Sequence, residues 1–223
     1  MKDILPVRVV GGGLAGSEAA YFLARNGIPV LLVDMKPAKF TPAHSSGDFA
    51  ELVCSNSLKS NDFRANACGL LKEEMRILGS LTMEAAERAA VPAGAALAVD
   101  REKFAAYVTE KLRSHPLIEI SSEEVTSLPD AEDGGRYTII ATGPLTSDAL
   151  AADIAQKFGG GLHFYDASAP IVSAESIDTA FAFTGDRYGK GTGDYINCPL
   201  DRETYYRVVD ELLGAERAHL HDF

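Results

Sequence analysis

One short segment constrains this chain more than any other. Val7-Arg8-Val9-Val10 runs straight into Gly11-Gly12-Gly13-Leu14-Ala15-Gly16, and Ser17 to Asn26, rich in Ala and Leu, is closed by Gly27. That order predicts a buried strand, a glycine turn and a helix stopped by a C′ glycine. Pro29 to Val33 is a second apolar run ending at Asp34, which completes a β-α-β unit of the size a right-handed crossover needs. The G-x-G-x-x-G spacing falls on Gly11, Gly13 and Gly16, with Asp34 21 residues beyond Gly13. In this context the first glycine permits the turn, the second lets backbone approach a pyrophosphate, and the third lets the helix pack against the strand. Gly12, Leu14 and Ala15 complete a helix N-terminus whose free N–H groups and partial positive charge suit phosphate. Asp34 would accept hydrogen bonds from a ribose hydroxyl, which favours a cofactor without a 2′-phosphate. The expected fold is α/β, with a Rossmann-like dinucleotide domain.

Composition narrows the remaining classes. The 223 residues are 46% apolar and 24% charged, which excludes a disordered, collagenous or coiled-coil chain and allows about one and a half domains. The formal charge of −11 argues against nucleic acid, DNA included, or anionic lipid as a general partner. Residues 1–120 carry equal numbers of basic and acidic side chains, so the whole excess lies beyond Ile120. Cys54, Cys68 and Cys198 show neither C-x-x-C spacing nor paired histidines, so a disulfide framework and a metal site are not expected, and reduced thiols in the cytoplasm are the simple reading. Ile4 to Val10 is too interrupted for a signal peptide, and Ala89 to Val99 is broken by Pro92 and Gly94 before it could span a bilayer.

Beyond Asp34, Met35 to Asn66 has little periodicity and reads as a long loop region, the kind that is usually functional. Leu71, Met75 and Leu78 predict one buried stripe on a helix from Ala67 to Leu78, and Leu81 to Ala90 is a second helix. Asp100 caps a helix whose Phe104, Val108 and Leu112 share a face and which Pro116 stops. Strands are expected at Leu117 to Ile120 and Tyr137 to Ala141, then a helix through Leu150, Ile154 and Phe158 ended by Gly159. Shorter strands are expected at Leu162 to Tyr165 and Phe181 to Phe183, with a last helix from Asp201 whose apolar face is Tyr205, Val208, Val209, Leu212 and Leu213.

The glycine fingerprint serves FAD and NAD alike. Thr138-Ile139-Ile140-Ala141-Thr142-Gly143, a strand that returns after a long excursion and ends in A-T-G, resembles the second cofactor-contacting strand of two-dinucleotide-domain flavoproteins, whereas NAD dehydrogenases usually continue regular β-α-β alternation. FAD is therefore expected, with Thr142 and Gly143 at the site. Cys54 lies in the long loop within a polar Ser55-Asn56-Ser57 neighbourhood, with Lys36 and Lys59 close in sequence, a setting that suits a thiolate better than an apolar core does. Cys68 and Cys198 read as structural residues.

Several blocks carry a family resemblance: G-G-G-L-A-G-S-E-A-A (Gly11 to Ala20), T-P-A-H (Thr41 to His44), E-L-V-C-S-N-S-L-K-S (Glu51 to Ser60), V-P-A-G-A-A-L-A-V-D-R (Val91 to Arg101), A-T-G-P-L-T-S (Ala141 to Ser147) and Y-I-N-C-P (Tyr195 to Pro199). Together they resemble the folate- and FAD-dependent tRNA (uracil-5-)-methyltransferases, the TrmFO family. The related GidA/MnmG wobble-uridine modifiers share the first block and are the alternative, as is a non-catalytic FAD-binding fragment. The resemblance implies a glutathione-reductase-type FAD domain with an inserted second α/β domain. It implies 5-methyluridine formation in the tRNA T loop, with methylenetetrahydrofolate as one-carbon donor and NAD(P)H as reductant. Cys54 matches an active-site cysteine of the family, and His44 falls in a loop that could contact flavin or move a proton. Lys59, Arg64, Lys72 and Arg76 are candidates for folate glutamate or RNA phosphate. Family members are about twice as long, so residues 1–150 correspond to the first part of the FAD domain and 151–223 to the start of the inserted tRNA- and folate-side domain. A fragment, a truncated gene product or a half that needs its other half would each explain the length.

Overall fold

The computed structural model describes residues 5–129, 136–159, 172–186 and 192–216. Along the chain run β1 (Val7–Val10), α1 (Leu14–Arg25), β2 (Val30–Asp34), β3 (Ser57–Ser60), α2 (Ala67–Ile77), α3 (Leu81–Arg88), β4 (Ala90–Val91) and β5 (Ala96–Val99). Then come α4 (Arg101–Ser114), β6 (Ile118–Ser122), β7 (Thr138–Ile140), α5 (Asp148–Phe158), β8 (Phe183–Gly185), β9 (Tyr195–Asn197) and α6 (Arg202–Gly214). Two compact units divide them, Met1–Pro170 and Ile171–Phe223.

In the first unit β1 and β2 are apolar because they are covered on both faces, as central parallel strands are. Val9 and Leu32 are fully buried. The sheet is parallel in the order β6-β2-β1-β7, with Val7 opposite Val30, Val10 opposite Ile140 and Val30 opposite Ile118. Helix α1 packs against it through the small residues Gly16, Ser17, Ala20 and Ala24, which let the helix approach closely. Helix α4 contributes Phe104, Val108 and Leu112, all buried, and the Asp100 carboxylate caps it by accepting from the Lys103 N–H at 3.1 Å. Gly159, at φ 82°, ends α5 as the sequence predicts.

The ends of α1 organise the next corner. The Glu18 carboxylate accepts from the Ser80 hydroxyl at 2.8 Å and from the Leu81 and Thr82 N–H groups at 3.1 and 2.9 Å, which satisfies the first turn of α3. The Arg25 guanidinium donates to the Leu78 and Gly79 carbonyls where α2 ends.

Several expectations change. The stretch from Met35 to Asn66 is not all loop, because β3 lies within it and pairs antiparallel with β5. The broken apolar run from Ala89 to Val99 folds back on itself as β4 and β5, giving a second sheet in the order β3-β5-β4. Helix α2 forms, but of the expected stripe only Met75 packs, partly buried, against the core, while Leu71 and Leu78 are exposed; the helix's buried residues are Gly69 and Lys72. The reason is close approach: a Cβ on Gly69 would lie 2.1 Å from the Asp62 carbonyl oxygen, while Lys72 Nζ turns inward to the Ser60 and Cys68 carbonyls at 2.9 Å each. In the second unit β8 and β9 form an antiparallel hairpin, with β8 displaced two residues from the expected Phe181 start. Helix α6 has no buried residue, so its apolar face, including Tyr205, Leu212 and Leu213, stays exposed. The strand expected at Leu162 to Tyr165 lies outside the described residues.

Candidate functional site

The glycines of the turn do different work, as the space around each shows. Gly11 has φ +100°, and a Cβ there would lie 2.6 Å from the Ala141 carbonyl oxygen, so only glycine lets the turn pass beneath the exit of β7. A Cβ on Gly16 would lie 1.8 Å from the Gly11 carbonyl oxygen, which sets how closely α1 packs. One on Gly12 would meet the Phe49 ring at 2.3 Å. Gly13 is the exception: nothing lies within 4 Å of its Cβ direction. It is also the N-cap of α1, where no side chain caps the helix and no acid occupies the first turn. Leu14 and Ala15 follow, both exposed.

This turn forms one wall of a cleft of about 340 Å³. The cleft lies at the carboxyl ends of β1, β2, β6 and β7, where open parallel sheets bind ligands. Asp34 enters it from β2, Glu123 to Val125 follow β6, and Ala141 to Ser147 follow β7, so Thr142 and Gly143 both line it. Lys36, His44, Glu51 and Val53 close the side supplied by the long loop. Every glycine-turn residue named from the sequence except Gly16, which is buried against Gly11, lines this space.

Asp34 is partly engaged by the protein itself. Its Oδ2 accepts from the Gly12 N–H at 2.6 Å and its Oδ1 from the Lys36 N–H at 2.8 Å, so it braces the turn while each oxygen keeps a further lone pair for a ligand hydroxyl. His44 shares a 2.7 Å hydrogen bond between Nδ1 and the Thr41 hydroxyl. Burial, and then the Lys36 charge, hold its pKa below the ordinary imidazole value, with Glu51 and Asp34 opposing. His44 is therefore neutral at pH 7 and able to accept a proton.

The sequence offers Lys36 only as a charge near Cys54 and Glu51 only as the first residue of a family block, and does not pair them. Their charges are 3.5 Å apart in a nearly closed setting. Burial acts to raise the Glu51 pKa, yet hydrogen bonds from the Ser45 N–H and hydroxyl, the Lys36 charge and the Ser46 N–H outweigh it and hold the carboxyl below its usual range. The signal available was charge pairing across the loop, Lys36 against Glu51, which one sequence does not display.

Cys54 is exposed and follows Val53 at the rim; it does not itself line the cleft. Its carbonyl accepts from Arg101 Nη2 at 3.4 Å. Lys36, expected to favour a thiolate there, is instead engaged with Glu51 and the Asp48 carbonyl. Cys68 and Cys198 are exposed as well, not the core residues their positions suggested. Of the cations named as anion ligands, Lys72 is buried on backbone carbonyls and Arg76 is held by Glu73, Glu87 and the Asn61 side-chain oxygen. Lys59 and Arg64 remain exposed. No group of His, Cys, Asp and Glu able to hold a metal occurs among the described residues, and none of their helices is long and apolar enough to cross a membrane.

A methylenetetrahydrofolate–tRNA-(uracil-5-)-methyltransferase TrmFO of Anaeromyxobacter is 57% identical over 218 residues, 97% of this chain and 48% of the relative. A Lactobacillus helveticus protein of the same name is 56% identical over 97% of this chain and 52% of its own. The chain thus spans about half the length of the curated relatives it matches. Among solved structures, Aquifex aeolicus GidA overlaps 62% of this chain and 25% of its own at a TM-score of 0.49 and 18% identity. The family model for glucose inhibited division protein A matches residues 6–223, which include the glycine turn, the cleft and the loop that carries Cys54. The chain belongs to the glucose inhibited division protein A family.

Proposed function

We propose that this chain is the N-terminal, cofactor-binding part of a flavin-dependent tRNA (uracil-5-)-methyltransferase acting in the cytoplasm. The observation that carries the reading is the open position at Gly13, above an uncapped helix N-terminus, in a cleft edged by Asp34, Thr142 and Gly143. Those residues fit the dinucleotide part of FAD: N–H groups and a helix dipole for the pyrophosphate, and a carboxylate for ribose hydroxyls. Bound there, FAD would supply the reducing chemistry that turns the one-carbon unit of methylenetetrahydrofolate into a methyl group, with NAD(P)H as the source of electrons.

In this reading Cys54 is the reacting thiol. Its thiolate adds to carbon 6 of a uracil in the tRNA T loop and the electron pair moves onto the ring, which makes carbon 5 nucleophilic. After the one-carbon unit is attached to carbon 5, the carbon 5 proton is lost as the unit's bond to its carrier breaks, a hydride equivalent drawn ultimately from NAD(P)H completes the methyl group, and the thiolate leaves carbon 6. His44, which lines the cleft and is held through Nδ1 by Thr41, is the group suited to take up a proton at Nε2.

The test has two parts. The chain should bind FAD, quenching flavin fluorescence, with ADP competing. Combined with the C-terminal half of a relative, it should form 5-methyluridine in T-loop transcripts from methylenetetrahydrofolate and NAD(P)H, and Cys54→Ala should abolish turnover while FAD stays bound. Methylation from S-adenosylmethionine without flavin would overturn the reading.

A further inference from the structure

Lys36 and Glu51 are set into the wall of the cleft, 5% and 11% exposed. An ion pair taken this far from water is seldom more stabilising than an apolar pair of the same size, so its use here calls for a role in fixing geometry. Its hydrogen bonds supply one. Glu51 Oε1 accepts from the Ser45 N–H and hydroxyl at 2.9 Å each and from the Ser46 N–H at 3.1 Å, while Lys36 Nζ donates to the Asp48 carbonyl. The two side chains therefore fold the 45–51 segment onto the residues that follow β2. The same segment is fastened to the glycine turn, because the Ala50 N–H donates to the Gly12 carbonyl at 2.8 Å and the Phe49 ring fills the space beside Gly12. Ala50 is held at φ 52°, a left-handed conformation that an alanine adopts only when its surroundings impose it.

His44 lies immediately before this clamp and Cys54 three residues after it. We propose that the Lys36–Glu51 pair is a positioning device that holds residues 41–54 so that His44 and Cys54 are presented at the rim of the cofactor cleft. The lysine is thus not a phosphate ligand, and neither side chain reacts. This assignment rests on the reading of Cys54 as the reacting thiol.

The test is the rate at which iodoacetamide modifies each cysteine of the 223-residue chain, resolved by peptide mass mapping. Lys36→Met/Glu51→Gln removes both charges together and leaves neither one buried alone. Its Cys54 rate should rise about fivefold or more, the lower end of ordinary site-to-site coupling. The rates at Cys68 and Cys198 and the thermal transition should stay unchanged. An unchanged Cys54 rate, or a rise shared by all three thiols, would overturn the proposal. Glu51→Asp, which keeps the charge and shortens its reach, gives a second reading of the same rate should the double variant melt early. Flavin binding is read separately in the same samples: its absence from the wild-type chain would sink the cofactor assignment and leave the Cys54 comparison to decide this one.

Discussion

Gly13 and Gly16 are three residues apart in one motif, and the structure gives them opposite tolerances. A methyl group at Gly16 would sit 1.8 Å from the Gly11 carbonyl oxygen, backbone that cannot swing aside, so α1 must move off the sheet. Gly16→Ala should destabilise the chain by about 3 kcal/mol, the upper range for overpacking a tight site, measured by urea unfolding. At Gly13 the backbone is extended and a Cβ meets nothing, so Gly13→Ala should fall within about 0.5 kcal/mol of wild type, as ordinary surface changes do. The spacing of the glycines is legible in the sequence, but which one faces the ligand follows from the space around each.

Among the elements, those with strong local signals were readable. β1, α1 and β2 carry the glycine punctuation, α4 has Asp100 at its cap and Phe104, Val108 and Leu112 on one face, and α5 stops at Gly159. The elements that were missed owe their form to partners distant in sequence. β3 has four residues, only two of its positions are registered against β5, and it holds Lys59 at φ 69°, so no alternation survives to be read. Helix α2 has the right period and the wrong face, because close approach through Gly69 and an inward Lys72 override its leucines. The α1–α3 corner offers a direct test at this scale. Glu18→Ala leaves the Leu81 and Thr82 N–H groups without their acceptor and should cost about 1–2 kcal/mol, as lost helix caps do, while Glu18→Gln should recover part of that. Equal stability of Glu18→Ala and wild type in urea would contradict the assignment.

For the whole molecule, the uneven charge and the buried ionisable groups set the response to pH. Burial and the Lys36 charge depress the His44 pKa, so this group contributes fully above its unfolded value, about 6.5, and that contribution is lost as pH falls through the lower folded value. The Glu51 pKa is also depressed, because its hydrogen bonds and Lys36 outweigh the opposing effect of burial; its contribution is present above the unfolded value, about 4.3, and is lost further down in acid. Urea midpoints should therefore fall on the acid side in two stages; Glu51→Gln should shrink the lower stage, to which Glu84 and other carboxyls held below their usual range also contribute, and should move the upper stage to lower pH, because Glu51 no longer favours the His44 charge. A midpoint that stayed level between pH 7 and pH 4 would contradict this. The −11 charge lies wholly beyond Ile120, and two of its acids, Glu123 and Glu124, line the cleft, so what the cleft offers a phosphate is the helix N-terminus of α1 and not a cationic lining.

The claim on which the functional account depends is that the cleft over the glycine turn seats the phosphates of FAD. Gly13→Asp addresses it cleanly, since the position is open, its backbone suits any residue, and Asp is a favoured N-cap, so the fold should hold while a carboxylate occupies the phosphate seat. Flavin fluorescence titration of the two proteins decides the matter. Wild type should bind FAD in competition with ADP, and Gly13→Asp should lose that binding at an undiminished thermal transition; equal FAD affinity in the two proteins would remove the phosphate seat from the glycine turn.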